Sequence, residues 1–336
     1  LEMSEEIKKF KVTIDGQTTE VEPGTTILNA ARQIGGKSVP PAMCYYSKLE
    51  NSGGRCRTCL VEVSKGSEAD PRPMPKLVAS CRTTVMDGME VKNLTSEKTQ
   101  EARKAVTEFL LLNHPLDCPI CDQAGECHLQ DLGYEHGLQQ TRNDFEKNTY
   151  DADDLGPNIK LNMNRCILCA RCVLVANQLT NTREHGILFR GEHAEISTYL
   201  NKALDNDFIG NVIDVCPVGA LTDRTARFAS RVWFTKPVDA TCTCSKCSGK
   251  AVLWMKGDEI VRVTARKDQD GEVEEFICNE CRFEKKDVKH WNIEGPRHIS
   301  RHSVISLNHY QKPEDAEVEK LEYENAKEIS KKDNLE

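Results

Sequence analysis

The sequence predicts a protein built from several domains of the α+β class. Its 336 residues are enough for two or three domains of ordinary size. Alternating apolar residues and turn signals near the N-terminus predict a hairpin, and apolar residues at helical spacing follow it. The 16 cysteines fall into separate groups along the rest of the chain. Each group therefore marks a segment with its own candidate centre.

Composition and charge exclude several classes of protein. Hydrophobic residues make up 38% of the chain and the formal net charge is −8, which favours a soluble protein and argues against nucleic acid as a main partner. The apolar runs are far shorter than the roughly 20 residues that span a membrane. No signal peptide is visible at the N-terminus. Cysteines spaced two residues apart in such a chain indicate metal or redox chemistry rather than a disulfide framework.

Residues 8–94 are predicted to form the first domain. An alternating stretch ends at the turn signal Asp15-Gly16, which predicts a hairpin. A short helix capped by Thr25 or Thr26 follows, with apolar residues at helical spacing from Ile27 to Ile34. Hairpin, helix and later strands together indicate a small α+β domain. The later strands are predicted at 60–63 and 85–91, the second of them broken by Asp87-Gly88.

The first domain contains four cysteines suited to a metal centre. Two of them form a Cys-x-x-Cys pair shortly after Gly53-Gly54, where the backbone can approach a cluster closely and aim its amides at the sulfurs. Four thiolates suit a [2Fe–2S] cluster, and they also suit zinc. The spacing departs from the plant ferredoxin pattern, because eleven residues rather than four separate the first two ligands. The candidate ligands are Cys44, Cys56, Cys59 and Cys81.

Residues 95–134 are predicted to begin with a helix over 95–113. Thr95 or Ser96 can cap this helix and Pro115 stops it. Its apolar residues repeat at helical spacing and predict a stripe that faces the core. The stripe consists of Ala102, Ala105, Val106, Phe109 and Leu110.

The end of this helix leads into a segment with one histidine and three cysteines at close range. Imidazole is a competent ligand for iron or zinc, and the four groups can converge on one ion or cluster. A neutral imidazole in place of one thiolate leaves the site with one negative charge less, which by itself raises its reduction potential. The candidate ligands are His114, Cys118, Cys121 and Cys127.

Residues 135–232 contain a cysteine triplet and one distant cysteine. Three cysteines separated by two residues each are a strong signature of a [4Fe–4S] cluster, whereas zinc usually takes pairs. A cysteine followed by proline is the usual form of the remote fourth ligand in bacterial ferredoxins. One triplet and one remote cysteine predict one [4Fe–4S] cluster. The candidate ligands are Cys166, Cys169, Cys172 and Cys216.

Residues 235–295 are predicted to form a small β domain with a fourth metal site, and residues 296–336 a charged tail. A hairpin with the turn Lys256-Gly257-Asp258 lies between the cysteines. Five cysteines exceed the four ligands that one cluster or one zinc ion needs. A [4Fe–4S] cluster is favoured, but paired Cys-x-x-Cys motifs are also typical of zinc ribbons, so both remain open. The candidate ligands are Cys242, Cys244, Cys247, Cys278 and Cys281.

These motifs together resemble the large iron–sulfur subunit of respiratory NADH:quinone oxidoreductase (complex I), which is called the 75-kDa subunit in mitochondria. The resemblance covers roughly residues 8–295. It implies a β-grasp [2Fe–2S] ferredoxin domain, a helical His-Cys₃ [4Fe–4S] segment, a [4Fe–4S] ferredoxin-like domain and a small β-rich cysteine domain. It also assigns the first three ligand sets to one [2Fe–2S] and two [4Fe–4S] clusters. The matching segments are VMDGMEV, FLLLNHPLDCPICDQAGECHLQD, NRCILCARC and VIDVCPVGALTDRTARF.

The same resemblance implies a function for the chain. It would pass single electrons from a flavoprotein subunit, which binds FMN and NADH and has a thioredoxin-like [2Fe–2S] partner, toward a downstream iron–sulfur subunit that leads to quinone. The chain would be a peripheral subunit of a membrane-associated complex, on the cytoplasmic side of the inner membrane. We expect no catalytic residue and no substrate site on this chain alone.

Two features depart from the family pattern. Many bacterial members bind a further cluster through Cys-x-x-Cys, a third cysteine after three residues, and a remote fourth. The pair that begins at Cys244 fits, as does the remote Cys278, but Ala251 stands in the third position, where Cys242 or Cys281 would have to substitute. The chain also ends where family members continue into a large molybdopterin-enzyme-like domain. We therefore expect that the chain is either a natural short form or a truncated chain. In both cases we expect its electron relay to be intact.

Two alternative functions remain, of which the first is the same relay module in a different complex and the second belongs to another class of protein. The chain could be the relay subunit of an NAD-linked hydrogenase or formate dehydrogenase. Such modules often carry two complete triplets each followed by Cys-Pro, so one triplet with the distant Cys216 favours complex I. A zinc-stabilised scaffold is the second alternative, and it would be colourless and free of sulfide.

Overall fold

The computed structural model divides the chain into two compact units, both of which combine helices with β-sheet. The first unit takes in the described residues of 1–114, 136–148 and 167–171, and the second those of 115–135, 149–166 and 172–336. Of the tail predicted at 296–336, only Pro296 and Arg297 are described. The structure describes residues 9–138, 140–144, 146–150, 153–199 and 202–297.

A five-stranded mixed sheet forms the centre of the first unit. Its strands are β1 (Phe10–Ile14), β2 (Gln17–Val21), β3 (Leu60–Lys65), β4 (Val78–Ala79) and β5 (Met89–Lys92). Their order in the sheet is β2-β1-β5-β3-β4, with β1 parallel to β5 and the other neighbours antiparallel. Its helices are α1 (Ile27–Ile34) and α2 (Glu97–Leu111).

The predicted hairpin is confirmed. Asp15 and Gly16 both have left-handed backbone conformations, with φ of 48° and 84°, as a two-residue turn between β1 and β2 requires. Alternation along β1 buries Val12 and Ile14 in the core. The Asp15 carboxylate also accepts the backbone N–H of Asn93 at 2.8 Å, which ties the turn to the end of β5.

Helix α1 is also confirmed, as is the predicted break at Asp87-Gly88 in the stretch 85–91. The Thr26 side chain caps α1 by accepting the N–H of Asn29 at 3.3 Å. The stretch predicted as a strand over 85–91 is extended only in β5, because Asp87 and Gly88 form a turn before it and Gly88 has φ of 77°.

Helix α2 forms inside its predicted bounds, but the predicted core stripe is wrong. Its side chains of Thr99, Arg103 and Thr107 are buried, whereas Phe109 is 73% exposed. The buried face is fixed by hydrogen bonds rather than by apolar packing. Arg103 donates to the carbonyl of Thr58 at 3.3 Å and to the side chain of Asn93 at 2.6 Å.

Within its described residues, the second unit contains three small sheets. The four-stranded sheet has the order β13-β12-β11-β14, the three-stranded sheet β10-β7-β6, and β8 pairs with β9. The strands are β6 (Asp153–Asp154), β7 (Ile159–Leu161), β8 (His185–Leu188), β9 (Glu195–Thr198), β10 (Leu221–Asp223), β11 (Lys236–Cys242), β12 (Lys250–Lys256), β13 (Glu259–Ala265) and β14 (Trp291–Pro296).

Helices in the later part of the chain are short. The predicted hairpin of β12 and β13 is confirmed, with Gly257 at φ of 61° in its turn. None of the helices in the described ranges combines the length and apolar composition that crossing a bilayer requires. The helices are α3 (His128–His136), α4 (Arg171–Gln178), α5 (Asn211–Val215) and α6 (Asn279–Phe283).

A buried ion pair joins α5 and α6 inside the second unit. Arg282 Nη2 lies 2.5 Å from Asp214 Oδ2, and both side chains are 1–2% exposed. The same carboxylate oxygen accepts the N–H of Ala265 on β13 at 3.0 Å. Arg282 also donates to the Asn211 side chain at 3.0 Å. Because breaking a buried pair leaves an uncompensated charge, α5, α6 and β13 are held together as one assembly.

We predict that Arg103→Met destabilises the first unit, because it leaves buried acceptors without their charged donor. The expected loss is about 3 kcal/mol of unfolding free energy. Urea denaturation followed by circular dichroism measures it. Lys104→Met is the matched control, since Lys104 is the next residue on the same helix and is exposed. Equal unfolding midpoints for the two variants would contradict the role given to Arg103.

We also predict that buried His185 makes the second unit sensitive to acid. His185 is 1% exposed, and neither ring nitrogen has a hydrogen-bond partner within the part of the chain that the structure describes. Burial lowers its pKa from 6.5 to about 4. The unfolded chain therefore binds the proton first, so the contribution of neutral His185 to stability is complete above pH 6.5 and is lost as the pH falls toward 4.

The expected loss between pH 7 and pH 5 is about 2 kcal/mol of unfolding free energy. Tryptophan fluorescence during urea unfolding reports it, because all 3 tryptophans belong to the second unit. His185→Leu should remove this part of the pH dependence. His193→Leu, at a histidine whose side chain is 81% exposed, is the control and should behave like the unmodified chain. A pH profile unchanged in His185→Leu would show that the prediction is wrong.

Candidate metal centres

The four predicted [2Fe–2S] ligands all lie in the first unit and are all buried. Three come from the long loop between α1 and β3, and Cys81 follows β4. Their sulfurs form two pairs. Cys59 Sγ lies 3.3 Å from Cys81 Sγ, and the Cys44 and Cys56 thiols are hydrogen-bonded to each other. Two pairs of thiols suit two irons that each take two protein ligands.

Backbone N–H groups point at these sulfurs. Gly54 donates to Cys81 Sγ at 3.3 Å, and Arg55 and Cys56 both donate to Cys44 Sγ at 3.3 Å. The loop can present them because Gly53 and Gly54 have φ of 93° and 78°. Successive N–H groups turned inward form a site for negative charge, which is what a cluster bound by thiolates needs. The donor set therefore fits an iron–sulfur cluster.

Within each pair of these cysteines, a hydrogen bond between the two thiols changes the pKa of both. The hydrogen bond from the Cys44 thiol lowers the pKa of Cys56 to about 5, and donating that bond raises the pKa of Cys44. The bond with Cys59 likewise lowers the pKa of Cys81. One member of each pair is thus prepared to be a thiolate, the form that binds metal.

The His-Cys₃ set is divided between the units. His114 is the last residue of the continuous N-terminal part of the first unit and is half-buried, whereas its three predicted partner cysteines belong to the second unit. Cys121 and Cys127 are buried and Cys118 is exposed. Burial raises the pKa of Cys127 to about 12. A metal that displaces the proton is therefore needed to ionise this thiol near neutral pH.

Neighbouring residues hold two of the three cysteines of this segment, Cys118 and Cys121, in place. Arg165 donates to the Asp117 carboxylate at 2.8 Å, directly before Cys118. Arg231 donates to the carbonyl of Cys121 at 2.6 Å. A Cβ added at Gly219 would overlap the Cys121 sulfur, so a glycine is required there.

Sequence reasoning missed the roles of these neighbours. The sequence did contain a signal for one of these contacts. Asp117 and Arg165 each stand immediately before a predicted ligand, and they carry opposite charges. Gly219 and Arg231 gave none, since they are remote in sequence from Cys121.

The predicted third set is also divided between the units. Cys169 belongs to the first unit, and Cys166, Cys172 and Cys216 belong to the second. The residues on either side of Cys169, Leu168 and Ala170, have φ of 53° and 63°. Such left-handed residues are uncommon outside glycine and mark a backbone held in one particular shape.

Four of the five cysteines in the predicted fourth site converge. Among the described residues, Cys244, Cys247, Cys278 and Cys281 are the one set of metal-ligand atoms that all lie within 4.8 Å of one another. Cys242 is buried at the end of β11 and lies outside this set, although its thiol hydrogen-bonds with that of Cys281. Cys281 rather than Cys242 thus lies among the converging sulfurs, a distinction that the sequence had left open.

Three family models match separate parts of the chain. A 2Fe-2S iron-sulfur cluster binding domain matches residues 8–96. The NADH-ubiquinone oxidoreductase-G iron-sulfur binding region matches residues 103–142. The ferredoxin-like domain of NADH-quinone oxidoreductase subunit 3 matches residues 156–222. Each matched range contains one complete predicted ligand set.

Relatives of known name support the same class. The chain is 39% identical over 287 residues to the G subunit of the NADH-quinone oxidoreductase of Rickettsia bellii, which covers 85% of this chain and 40% of that protein. It is 40% identical over 285 residues to the NADH-ubiquinone oxidoreductase 75 kDa subunit of Reclinomonas americana, covering 85% of this chain and 39% of that protein. The chain thus spans about 40% of the length of these relatives.

A solved structure is also similar. A chain from the crystal structure of NAD⁺-reducing [NiFe]-hydrogenase in the H₂-reduced state aligns with a TM-score of 0.57 and 28% identity. The alignment covers 66% of this chain and 91% of that one.

The chain is therefore an iron–sulfur protein with a [2Fe–2S]-binding domain and further iron–sulfur-binding regions. It is homologous over 85% of its length to the large iron–sulfur subunit of NADH:quinone oxidoreductase, known as the G subunit or the 75 kDa subunit.

We predict that Gly219→Ala removes the metal bound through Cys121, because the new methyl group must displace the sulfur. We expect the loss of about four irons per chain, as for one [4Fe–4S] cluster, with the remaining metal retained. Anaerobic purification followed by iron and sulfide analysis measures it. Gly186→Ala is the matched control, since an added Cβ there meets nothing within 4 Å. Unchanged iron in Gly219→Ala would show that the contact does not constrain the centre.

Proposed function

We propose that the chain is the electron-relay subunit of an NADH:quinone oxidoreductase. The observation that carries this proposal is the agreement between ligand sets and family matches. The set from Cys44 to Cys81 falls within the match to 8–96, and the set from His114 to Cys127 within the match to 103–142. The set from Cys166 to Cys216 falls within the match to 156–222.

Each set receives a specific cluster under this proposal. The four cysteines of the first unit hold a [2Fe–2S] cluster in a β-grasp domain made of the five-stranded sheet and α1. His114 and its three cysteines hold one [4Fe–4S] cluster. The triplet with Cys216 holds the other, in a ferredoxin-like domain. Bound clusters supply one-electron transfer and no bond-making chemistry.

The chain's own residues tune and support these centres. N–H groups of 54–56 stabilise negative charge on the sulfurs of Cys44 and Cys81, and hydrogen bonds to sulfur are one of the factors that set cluster potential. Arg171 Nη2 donates to the carbonyls of Ala42 and Tyr45 at 2.9 and 2.6 Å, on both sides of Cys44. These contacts hold the ligand loop in one shape, so that the cluster environment changes little between redox states.

The proposal includes partners and location. Electrons would come from a flavoprotein subunit with FMN and NADH, together with its thioredoxin-like [2Fe–2S] partner. They would leave to a downstream iron–sulfur subunit that leads to quinone. The chain would then be a peripheral subunit on the cytoplasmic side of the inner membrane. This part rests on the likeness to named relatives.

A second candidate is the relay subunit of an NAD-linked hydrogenase. The similarity to a chain of an NAD⁺-reducing [NiFe]-hydrogenase favours it. The sequence relatives at 39% and 40% identity favour the first candidate more strongly. Affinity purification from the native membrane fraction separates the two, because quinone-module subunits support the first and a nickel-containing subunit supports the second.

The relay is tested by reducing the purified full chain under anaerobic conditions and recording its EPR spectrum. Dithionite should produce the signals of reduced clusters. NADH alone should produce none, and NADH with the flavoprotein subunit should restore them. Reduction by NADH without the flavoprotein would contradict a relay that has no substrate site. A colourless chain without sulfide would instead support the zinc scaffold.

Under the same conditions Cys127→Ala should lose one cluster signal and keep the others. Its sulfur is buried, so no alternative ligand from solvent can easily replace it. Lys104→Met, at an exposed site on α2, serves as the control and should keep every signal. Loss of all signals together in Cys127→Ala would indicate a folding defect, because metal binding and folding are coupled.

A further inference from the structure

We propose that Cys244, Cys247, Cys278 and Cys281 bind a single structural zinc ion. This assignment replaces the fourth iron–sulfur cluster that the sequence favoured. It depends on the geometry of the second unit alone and would stand even if the chain served another electron-transfer complex.

The distances between the sulfurs carry the assignment. Cys244 Sγ lies 3.6 Å from Cys278 Sγ, and Cys247 Sγ lies 3.8 Å from Cys281 Sγ. A tetrahedral zinc ion with Zn–S bonds of about 2.3 Å places its ligand sulfurs about 3.8 Å apart. In a [4Fe–4S] cluster each thiolate binds a different iron at a corner of the core, so the four sulfurs stand much farther apart. Sulfurs all within 4.8 Å of one another surround one ion and leave no room for a four-iron core.

The ligands come from two separate Cys-x-x-Cys pairs, which is typical of zinc ribbons. Cys244 and Cys247 lie in the loop between β11 and β12. Cys278 caps α6, and Cys281 lies within that helix. The loop closes tightly on β11, because Gly249 has φ of 70° and an added Cβ would come within 2.6 Å of the Cys242 carbonyl oxygen. Two separate segments of the chain, the loop after β11 and helix α6, therefore each supply one pair of ligands to the same ion.

The surroundings stabilise thiolates at this point. The backbone N–H of Lys246 donates to the Cys244 sulfur at 3.2 Å, as an N–H group does beside a metal-bound thiolate. Lys246 and Lys286 both pair with Glu280, at 3.3 and 2.5 Å, beside the site. The two lysines and Glu280 together carry one net positive charge, which offsets part of the negative charge that remains after zinc is bound.

The fifth thiol lies beside the site but outside the group of four converging sulfurs. Cys242 is 4% exposed at the end of β11, and its thiol hydrogen-bonds with that of Cys281. The two cysteines therefore have different expected roles, which provides a matched pair of variants.

The affinity order and the surrounding packing favour zinc in a structural role. A thiolate site binds zinc more tightly than ferrous iron, and a closed four-cysteine site leaves no open position for chemistry. The residue after Cys281 is Arg282, whose buried ion pair with Asp214 holds α5. Helix α5 ends directly before Cys216, the predicted remote ligand of the third cluster. Zinc bound at Cys278 and Cys281 would therefore hold α6 in place. Through the ion pair of Arg282 with Asp214, α6 in turn holds α5, which leads into Cys216.

The test is metal analysis and zinc X-ray absorption on the full chain purified anaerobically. We expect one zinc per chain and about ten irons, the content of one [2Fe–2S] and two [4Fe–4S] clusters. Zinc absorption should show four sulfurs at about 2.3 Å. Cys281→Ser should lose the zinc and keep the iron of the first two centres. Cys242→Ser, the control, should keep its zinc.

Several results would overturn the zinc assignment. About fourteen irons and no zinc per chain would show a fourth [4Fe–4S] cluster. A single iron in place of zinc, or zinc absorption with nitrogen or oxygen neighbours, would also contradict it. Loss of metal in Cys242→Ser but not in Cys281→Ser would assign the ligands differently. The absorption measurement on the unmodified chain needs no variant, so it decides the matter even if Cys281→Ser does not fold.

Discussion

The structure depends on one constraint, which is that its buried thiols can ionise only where a metal or a hydrogen bond takes the place of water. Burial raises the pKa of Cys127 to about 12 and that of Cys278 to about 11. A protonated thiol is a poor ligand, so metal binding must release the proton as the protein folds around it. Much of the backbone near the cysteines can be understood as a response to this cost.

That response consists mainly of N–H groups and positive charge placed next to sulfur. The left-handed glycines before Cys56 turn three consecutive amides toward two sulfurs. Elsewhere, arginines hold the segments that carry ligands. Arg103 holds the carbonyl between Cys56 and Cys59, and Arg165 holds the carboxylate before Cys118. Buried guanidinium groups can do this because they donate several hydrogen bonds in a fixed plane.

Local patterns in the sequence predicted the local structure well where one interaction decided it. The turn at Asp15-Gly16 and the cap of α1 by Thr26 follow from backbone conformation and from one hydrogen bond. Helix α2 shows where this reasoning fails. Helical spacing identified an apolar stripe, but the buried face is the one that carries Arg103. The spacing shows which side chains lie on the same face of a helix. It does not show which face will pack against backbone carbonyl groups that require a hydrogen-bond donor.

The sequence by itself determined the ligand types, the grouping of the cysteines and the family likeness, because ligand spacing within a short motif is set by local backbone geometry. The tertiary structure alone decided which distant thiols meet. Cys242 and Cys281 were equivalent candidates in the sequence, and only the packing of α6 against the loop after β11 brings Cys281 into the group of four sulfurs. A spacing of 34 residues or more fixes no direction in space, so the choice between one ion and a four-iron cluster rests on distances that exist only after folding.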